Sequence, residues 1–109
     1  MKETDLQKQC LHYLNLQGKI FAWRNNTTGV WDAKKGIYRR NPGQLKGVSD
    51  ILGVTDTGRM VAFEVKLRSG KIRPEQDHFI NKVNAMGGLA VVIYSLEELV
   101  EVVRQLRTH

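Results

Sequence analysis

The chain has 109 residues and a formal net charge of +6, from seventeen Lys and Arg against eleven Asp and Glu. This length predicts one domain over residues 1–109, and a hydrophobic content of 41% suffices for one modest core. One cysteine excludes a disulfide framework, and three scattered histidines without ligand spacing argue against zinc. Because the apolar runs are short and the N-terminus is acidic, we expect a cytoplasmic domain that binds no membrane.

A helix and a strand are the first predicted elements. Apolar residues recur at helical spacing from Leu6 to Leu14, and they predict a helix over residues 4–17 that Gly18 ends. The apolar run at residues 20–23 then predicts a strand.

Two hairpins are predicted next along the chain. The apolar pairs at residues 30–31 and 37–38 flank a polar turn and predict a small hairpin. Residues 50–55 and 59–67 predict two longer strands, joined by a three-residue loop whose last residue is a glycine suited to positive φ.

The remaining third of the chain predicts a helix, a strand and a second helix. Pro74 suits the first position of a helix that a Gly-Gly pair ends. Residues 89–94 form a nearly continuous apolar run, typical of a strand that is buried on both faces. A capping box at residues 95–98 opens the last helix. The whole order predicts an α/β fold, with a mixed central sheet flanked by helices.

Two acids are predicted to lie side by side on neighbouring strands. With a three-residue loop Thr55 pairs with Arg59, and counting outward places Asp50 opposite Glu64, with Cβ atoms about 4.5–5.5 Å apart. Opposed carboxylates repel each other, but a divalent cation such as Mg²⁺ can lie between them. Lys66 projects from the same face as Glu64 and could orient a water or steady a phosphate. The alternative is an ordinary ion pair on a solvated strand face.

Two helical residues fit the same hypothesis. Gln76 shares the buried stripe of its helix, where a water or phosphate of an active site could be its partner. The alternative is a glutamine that bonds backbone or solvent near the helix start. Glu3 lies one helical turn before Gln7 and could point into a site. A frayed terminus, or a capping box at residues 4–7 that leaves Glu3 outside the helix, is the alternative.

The positive charge is concentrated in one segment. Residues 34–46 contain five bases and no acid, whereas residues 47–65 contain three acids and one base. A basic cluster favours nucleic acid as a partner, although a solvated loop is the alternative. Trp31 and Tyr38 could stack on an unpaired base, but core packing is favoured for Trp31. The predicted DNA-binding residues are Lys34, Lys35, Arg39, Arg40, Lys46, Lys71 and Arg73.

Three short motifs resemble the PD-(D/E)XK nuclease signature, and most closely its VRR-NUC branch of small stand-alone phage and bacterial proteins. They are Gly-Val-Ser-Asp at residues 47–50, Glu-Val-Lys at 64–66 and Pro-Glu-Gln at 74–76. Ser49 stands where the signature often has proline. The resemblance implies a restriction-endonuclease-like αβββαβ core and DNA cleavage that depends on Mg²⁺ or Mn²⁺. It also implies these roles: Asp50, Glu64 and the Val65 carbonyl as metal ligands, Lys66 as catalytic lysine, and Gln76 and Glu3 as supporting residues.

The sequence is therefore compatible with two classes of function. The first is a metal-dependent, structure-selective DNA endonuclease, a homodimer that cuts branched DNA such as Holliday junctions or flaps, or acts as a nickase. Its role would lie in replication, repair or recombination, with no small-molecule substrate. The alternative is a non-catalytic nucleic-acid-binding α/β module, for which Phe63 on a basic strand is similar to the stacking strand of an RNA-recognition motif.

Overall fold

The computed structural model describes residues 1–25, 30–39, 43 and 45–106, apart from the side chain of Val30. Three helices and six strands lie in these ranges. In chain order they are α1 (Glu3–Leu16), β1 (Ile20–Arg24), β2 (Val30–Asp32), β3 (Ile37–Arg39), β4 (Ile51–Thr55), β5 (Met60–Val65), α2 (Pro74–Ala85), β6 (Leu89–Ile93) and α3 (Leu96–Leu106). No helix in the described ranges is both long and apolar enough to cross a membrane.

Four of the strands form one mixed sheet in the order β1-β4-β5-β6. The β1–β4 and β4–β5 pairs are antiparallel, and β5 runs parallel to β6. The elements α1, β1, β4, β5, α2 and β6 follow one another as the predicted αβββαβ core. The predicted mixed sheet with flanking helices is thereby confirmed. The strands β2 and β3 form a separate two-stranded ribbon after β1, and α3 follows the core.

Helices cover both faces of the sheet. One core joins α1 and α3 to the strands and includes Leu14, Phe63 and Leu99, each fully buried. A smaller core lies between α2 and the other face, around Phe79 and Ala90. Because side chains alternate along a strand, the even-numbered residues of β4 and β5 face α2.

The first helix begins differently from the prediction. Glu3 is its first residue, so the helix starts one residue earlier than the sequence pattern suggests. The backbone N–H of Lys2 donates to a carboxylate oxygen of Asp5 at 3.1 Å. Since Asp5 closes this end of the helix, the predicted alternative of a capping box at residues 4–7 is wrong, and Glu3 lies inside the helix.

The β4–β5 hairpin has the predicted register. The N–H of Thr55 donates to the carbonyl of Arg59 at 2.9 Å, and Ile51 pairs with Phe63. Gly58 ends the loop at φ 87°, in the left-handed region that glycine adopts freely. The residues just beyond the ladder, Asp50 and Glu64, therefore lie opposite each other as predicted.

Both edges of the four-stranded sheet are closed by an asparagine side chain. The amide of Asn15, on α1, donates to the carbonyl of Ala22 at 3.0 Å and accepts from its N–H at 2.9 Å. Asn84, on α2, makes the same two bonds to Ala90 on β6, both at 2.9 Å. An open edge strand offers unpaired backbone groups to other chains. Each asparagine therefore blocks the middle of its edge against pairing with another strand.

Replacement of either edge asparagine should destabilise the protein. We expect Asn15→Ala and Asn84→Ala each to lower the free energy of unfolding by about 1–3 kcal/mol, because two backbone groups lose their partner. Asn81→Ala is the matched control, since its amide makes only an exposed 3.3 Å bond to Asp77. Urea denaturation measures the free energy of unfolding of each variant. If Asn15→Ala and Asn84→Ala lost no more than Asn81→Ala, their role in closing the sheet edges would be contradicted.

Candidate active site

Asp50 is held from two sides at the open end of the β4–β5 hairpin. One of its carboxylate oxygens, Oδ2, accepts a 2.8 Å hydrogen bond from the N–H of Val65. Its backbone carbonyl accepts a 2.7 Å hydrogen bond from the N–H of Asn25, just after β1. These two bonds fix the position of Asp50 although it precedes the first residue of β4.

Glu64 is the more deeply buried acid, with 2% of its surface exposed. Its Oε1 accepts a 2.8 Å bond from the side-chain amide of Gln76, whose own oxygen accepts from the N–H of Arg73 at 2.9 Å. The second oxygen of Glu64, Oε2, is buried without a hydrogen-bond partner among the described residues. The solvated strand face offered as an alternative is therefore wrong. The predicted burial of Gln76 is confirmed, with Glu64 as its partner.

Lys66 lies one residue beyond β5 and beside the same carboxylate. Its ammonium nitrogen is 3.9 Å from Oε1 of Glu64, and its side chain is only 15% exposed. Glu64 and Lys66 therefore point to one side of the sheet, as the alternation predicts. The positive charge of Lys66 partly offsets the negative charge of Glu64. The ammonium nitrogen of Lys66 therefore lies beside the two carboxylates.

The environment raises the pKa of both acids. Burial first, and the charge of Asp50 second, raise the pKa of Glu64 to about 8, against a smaller lowering by Lys66. Burial also raises the pKa of Asp50; the Val65 hydrogen bond opposes this shift, and the charge of Glu3 adds to it. Near neutral pH the pair therefore retains a proton. This proton lets the side chains of Asp50 and Glu64 share a hydrogen bond, which lowers the pKa of Asp50 and raises that of Glu64. A divalent cation can replace such a proton between two carboxylates.

Glu3 lies near the carboxylate pair without completing a three-acid cluster. It is half-buried at the start of α1, and its charge acts on Asp50. Within residues 1–25, 30–39, 43 and 45–106, no three or more His, Cys, Asp and Glu are grouped to hold a metal. Mg²⁺ is commonly held by one or two carboxylates together with water and phosphate oxygens, so Asp50 and Glu64 fit such an ion.

Two polar residues of the region were not predicted as site residues. Ser49 is fully buried and Gln7 is 7% exposed, and each has a side-chain oxygen without a hydrogen-bond partner in the described part of the chain. Buried polar atoms are nearly always bonded. The sequence signal for Gln7 was its spacing of one helical turn from Glu3, whereas the only signal for Ser49 was its place directly before Asp50.

The first group of predicted DNA-binding residues lies on the β2–β3 ribbon. Lys34 and Lys35 are exposed in its turn, where both backbone N–H groups donate to Oδ1 of Asp32. Arg39 is exposed on β3 and forms a 3.2 Å ion pair with Asp32. Arg40 lies outside the described residues. The ribbon therefore carries Lys34 and Lys35 as its exposed cations, with Arg39 already paired.

The second group lies in the loops on either side of the carboxylates. Lys46 is exposed in the loop that leads to Asp50, and Lys71 and Arg73 are exposed between β5 and α2. Arg73 forms an exposed 3.5 Å ion pair with Glu75. Lys46 lines a cavity with Arg59 and Lys82 at the loop end of the β4–β5 hairpin, whereas Lys71 and Arg73 precede the helix that carries Gln76.

The favoured core position of Trp31 is wrong, because 54% of the residue is exposed. Its ring packs against Tyr38 on the neighbouring strand, edge to face, with centroids 5.0 Å apart. The strands β2 and β3 pack mainly against each other. A two-stranded ribbon of this kind has no core that could bury an indole ring.

Gly47 brings the loop before Asp50 against the first turn of α2. Its φ is 81°, and a Cβ at this position would lie 2.2 Å from the carbonyl oxygen of Glu75. Gln76 follows Glu75, so this contact positions the glutamine that holds Glu64. The glycine of the motif is therefore required both by its backbone conformation and by the close approach of two main chains.

The fold and these side chains define an α/β domain with two opposed carboxylates at the open end of a β-hairpin. Among solved structures, a VRR_NUC domain protein has the same fold, with a TM-score of 0.67 and 19% sequence identity. The similarity covers 96% of this chain and 87% of that chain. No protein-family model matches the sequence, and no curated protein matches it significantly. The predicted VRR-NUC likeness is confirmed for the fold, and the PD-(D/E)XK assignment stays a prediction.

Substitution of Gly47 should disturb the site more than substitution of another positive-φ glycine. A Cβ atom at Gly58 would have no atom within 4 Å. Gly58→Ala should therefore lower the free energy of unfolding only by the cost of the left-handed backbone conformation, about 1–2 kcal/mol. Gly47→Ala should cost clearly more in free energy of unfolding, because its Cβ collides with backbone atoms of Glu75. Urea denaturation measures the free energy of unfolding of both variants. Equal losses would show that the backbone around Glu75 can move aside at no cost, which would contradict the prediction.

The raised pKa of Glu64 predicts a pH-dependent stability in EDTA. The folded residue keeps its proton up to about pH 8, whereas the unfolded residue loses it near 4.5. The stabilisation is therefore complete below the unfolded pKa and is lost as the pH rises through the folded one. This group alone contributes a decrease of up to about 1.4 kcal/mol per pH unit between those values.

Glu64→Gln should remove this slope, whereas the exposed control Glu101→Gln should keep it. Urea denaturation from pH 4.5 to 8.5 measures the slopes. A Glu64→Gln variant with the parental slope would contradict the assignment of the proton to Glu64.

Proposed function

We propose that this protein is a metal-dependent, structure-selective DNA endonuclease that hydrolyses phosphodiester bonds. Its substrates would be branched DNA such as Holliday junctions or flaps, or duplex that it nicks, in replication, repair or recombination. The observation that carries the proposal is the carboxylate pair: Asp50 opposes Glu64, and the buried Oε2 of Glu64 has no partner among the described residues. The fold shared with a VRR_NUC domain protein supports it.

The proposed metal ligands are Asp50, Glu64 and the Val65 carbonyl, with Mg²⁺ or Mn²⁺ as the ion. The two carboxylates supply hard oxygen donors. Burial and their mutual proximity raise the pKa of both acids, and a bound cation would relieve the repulsion between their charged forms. When bound, such an ion polarises phosphoryl oxygens and lowers the pKa of a water molecule.

The surrounding side chains would orient the reacting groups. Gln76 holds Oε1 of Glu64, so Oε2 would remain available as a ligand for the ion. Lys66, beside Glu64, would neutralise charge on the phosphate and orient the attacking water. Glu3 would support the site through its effect on Asp50.

DNA binding is assigned to the exposed bases around these acids. Two carboxylates repel a polyanion, and the basic residues of the ribbon and loops would offset this by contacts to flanking phosphates. They are Lys34, Lys35, Arg39, Arg40, Lys46, Lys71 and Arg73. A homodimer would present two such sites to the two strands of a branched substrate.

The alternative function, a non-catalytic nucleic-acid-binding module, loses the observation that favoured it. Phe63 is fully buried in the core between the sheet and α1. It therefore cannot stack on a base as the aromatic residues of an RNA-recognition motif do. Glu64 would also place a carboxylate on the binding surface, where it would repel the phosphates of a nucleic acid.

DNA cleavage with and without metal tests the proposal. A Holliday junction, a flap and a linear duplex are incubated with the protein in Mg²⁺, Mn²⁺ or EDTA. We expect cutting only with metal and preferentially of branched DNA. Asp50→Asn and Lys66→Ala should lower the rate more than about 100-fold, since charge stabilisation at a phosphoryl group is worth several kcal/mol.

The exposed ion pair of Lys19 and Asp56, 3.5 Å apart at the loop end of the β4–β5 hairpin, provides matched controls. Asp56→Asn and Lys19→Ala should cut at the parental rate. Binding of DNA without metal-dependent cutting of any substrate would favour the non-catalytic alternative. Equal cutting by the site variants and the controls would contradict the residue assignment.

A further inference from the structure

Part of the sheet face that carries Asp50 and Glu64 is not covered by a helix. The helix α2 packs mainly on β5 and β6, so the same face at β1 lies beyond it. Phe21 and Trp23 project from β1 on this side, because Ala22 between them is buried in the opposite core. They are 67% and 44% exposed, respectively. Two large aromatic side chains therefore lie at the surface of a sheet that has apolar cores elsewhere.

The pairing of β1 with β4 places these rings beside the candidate active site. Trp23 pairs with Leu52, which is two residues after Asp50. Trp23 and Asp50 are therefore diagonal neighbours on one sheet face, about 7–8 Å apart and within reach of an aromatic side chain. Phe21 pairs with Val54, one row further from the acids. The two rings lie 5.6 Å apart and form a short aromatic row that begins next to Asp50.

The chemistry of this row suits the faces of nucleobases. Exposed aromatic rings on a positively charged surface are the elements with which proteins bind single strands, since every base has a π-face. The chain carries a net charge of +6. In an intact duplex the faces of the bases are covered by their neighbours, so only unpaired bases can stack on these rings.

A second copy of the chain is disfavoured as an extra strand beside β1. Another strand could extend the sheet there only through the backbone groups of the β1 edge. Asn15 already binds both outward groups of Ala22, in the middle of that edge. A DNA strand brings the charge that is complementary to the net positive charge of the chain.

We propose that Phe21 and Trp23 form a base-stacking platform for unpaired nucleotides adjacent to the scissile phosphate. The preferred substrate is then DNA that is single-stranded on one side of the cut, such as a flap or a splayed end. This inference rests on the proposed nuclease function for the position of the cut, and on the β1 surface alone for the stacking.

Tryptophan fluorescence tests the stacking without catalysis. The chain has two tryptophans, so Trp31→Phe leaves Trp23 as the only one, and Trp23→Phe leaves Trp31. Each variant is titrated in EDTA with blunt duplex and with a duplex that has a single-stranded overhang. We expect the overhang DNA, and not the blunt duplex, to quench the emission of Trp23. Quenching of Trp31 alone would overturn the proposal and move the stacking to the ribbon.

Binding affinity in EDTA gives a second readout. Trp23→Ala and Phe21→Ala should weaken binding of the overhang DNA about 5- to 100-fold, the loss expected for one stacked base. Trp23→Phe should retain most of the affinity, and the affinity for blunt duplex should stay unchanged. Leu16→Ala, at an equally exposed apolar residue at the end of α1, is the matched control.

The outcomes separate this proposal from the proposed function. Overhang-specific quenching of Trp23 without any metal-dependent cutting would support the platform and contradict the nuclease. Equal quenching by both DNAs, or no effect of Trp23→Ala on overhang binding, would overturn the platform. A shift from dimer to monomer on Trp23→Ala in sedimentation velocity, with no quenching by DNA, would overturn it in favour of a contact between copies.

Discussion

The three-residue loop between β4 and β5 sets the constraint on which the candidate site depends. The bond between Thr55 and Arg59 fixes the register that places Asp50 opposite Glu64. A shift of one residue would turn one acid to the other face of the sheet. Burial and the neighbouring Asp50 raise the pKa of Glu64, whose Oε2 has no hydrogen-bond partner among the described residues. The two apolar cores stabilise the domain against the local cost of this arrangement.

The elements around the hairpin act on the same pair of acids. Gln76 uses its oxygen to hold the start of α2 and its amide to hold Glu64, so one side chain couples the helix to the site. Gly47 allows the chain before Asp50 to touch the same helical turn. The loop, the hairpin and the helix are thus tied together within a few residues. The position of α2 is therefore linked to Glu64 directly, through the hydrogen bond from Gln76.

Local patterns in the sequence predicted the register and the burial of Gln76 because both depend on near neighbours. The length of the loop determines which residues pair, and the helical stripe determines which side chain faces the sheet. Exposure of Trp31 and Trp23 could not be predicted in this way. Whether an aromatic side chain is buried depends on which distant element covers it, and here the ribbon has no second layer and α2 covers mainly β5 and β6. The unbonded oxygen of Ser49 likewise depends on the packing of several segments.

The edges of the sheet and its uncovered face offer different groups to a ligand. Asn15 and Asn84 each occupy the backbone groups of one residue in the middle of an edge strand, so that strand addition is disfavoured on either side. The face next to Asp50 presents the side chains of Phe21 and Trp23 instead. A ligand at this face must therefore be bound through ring surfaces and charge, without main-chain pairing. Unpaired nucleotides would meet both conditions, because their flat bases suit the rings and their phosphates suit the net positive charge of the chain. A peptide strand beside β1 would need the backbone groups of Ala22, which Asn15 already occupies.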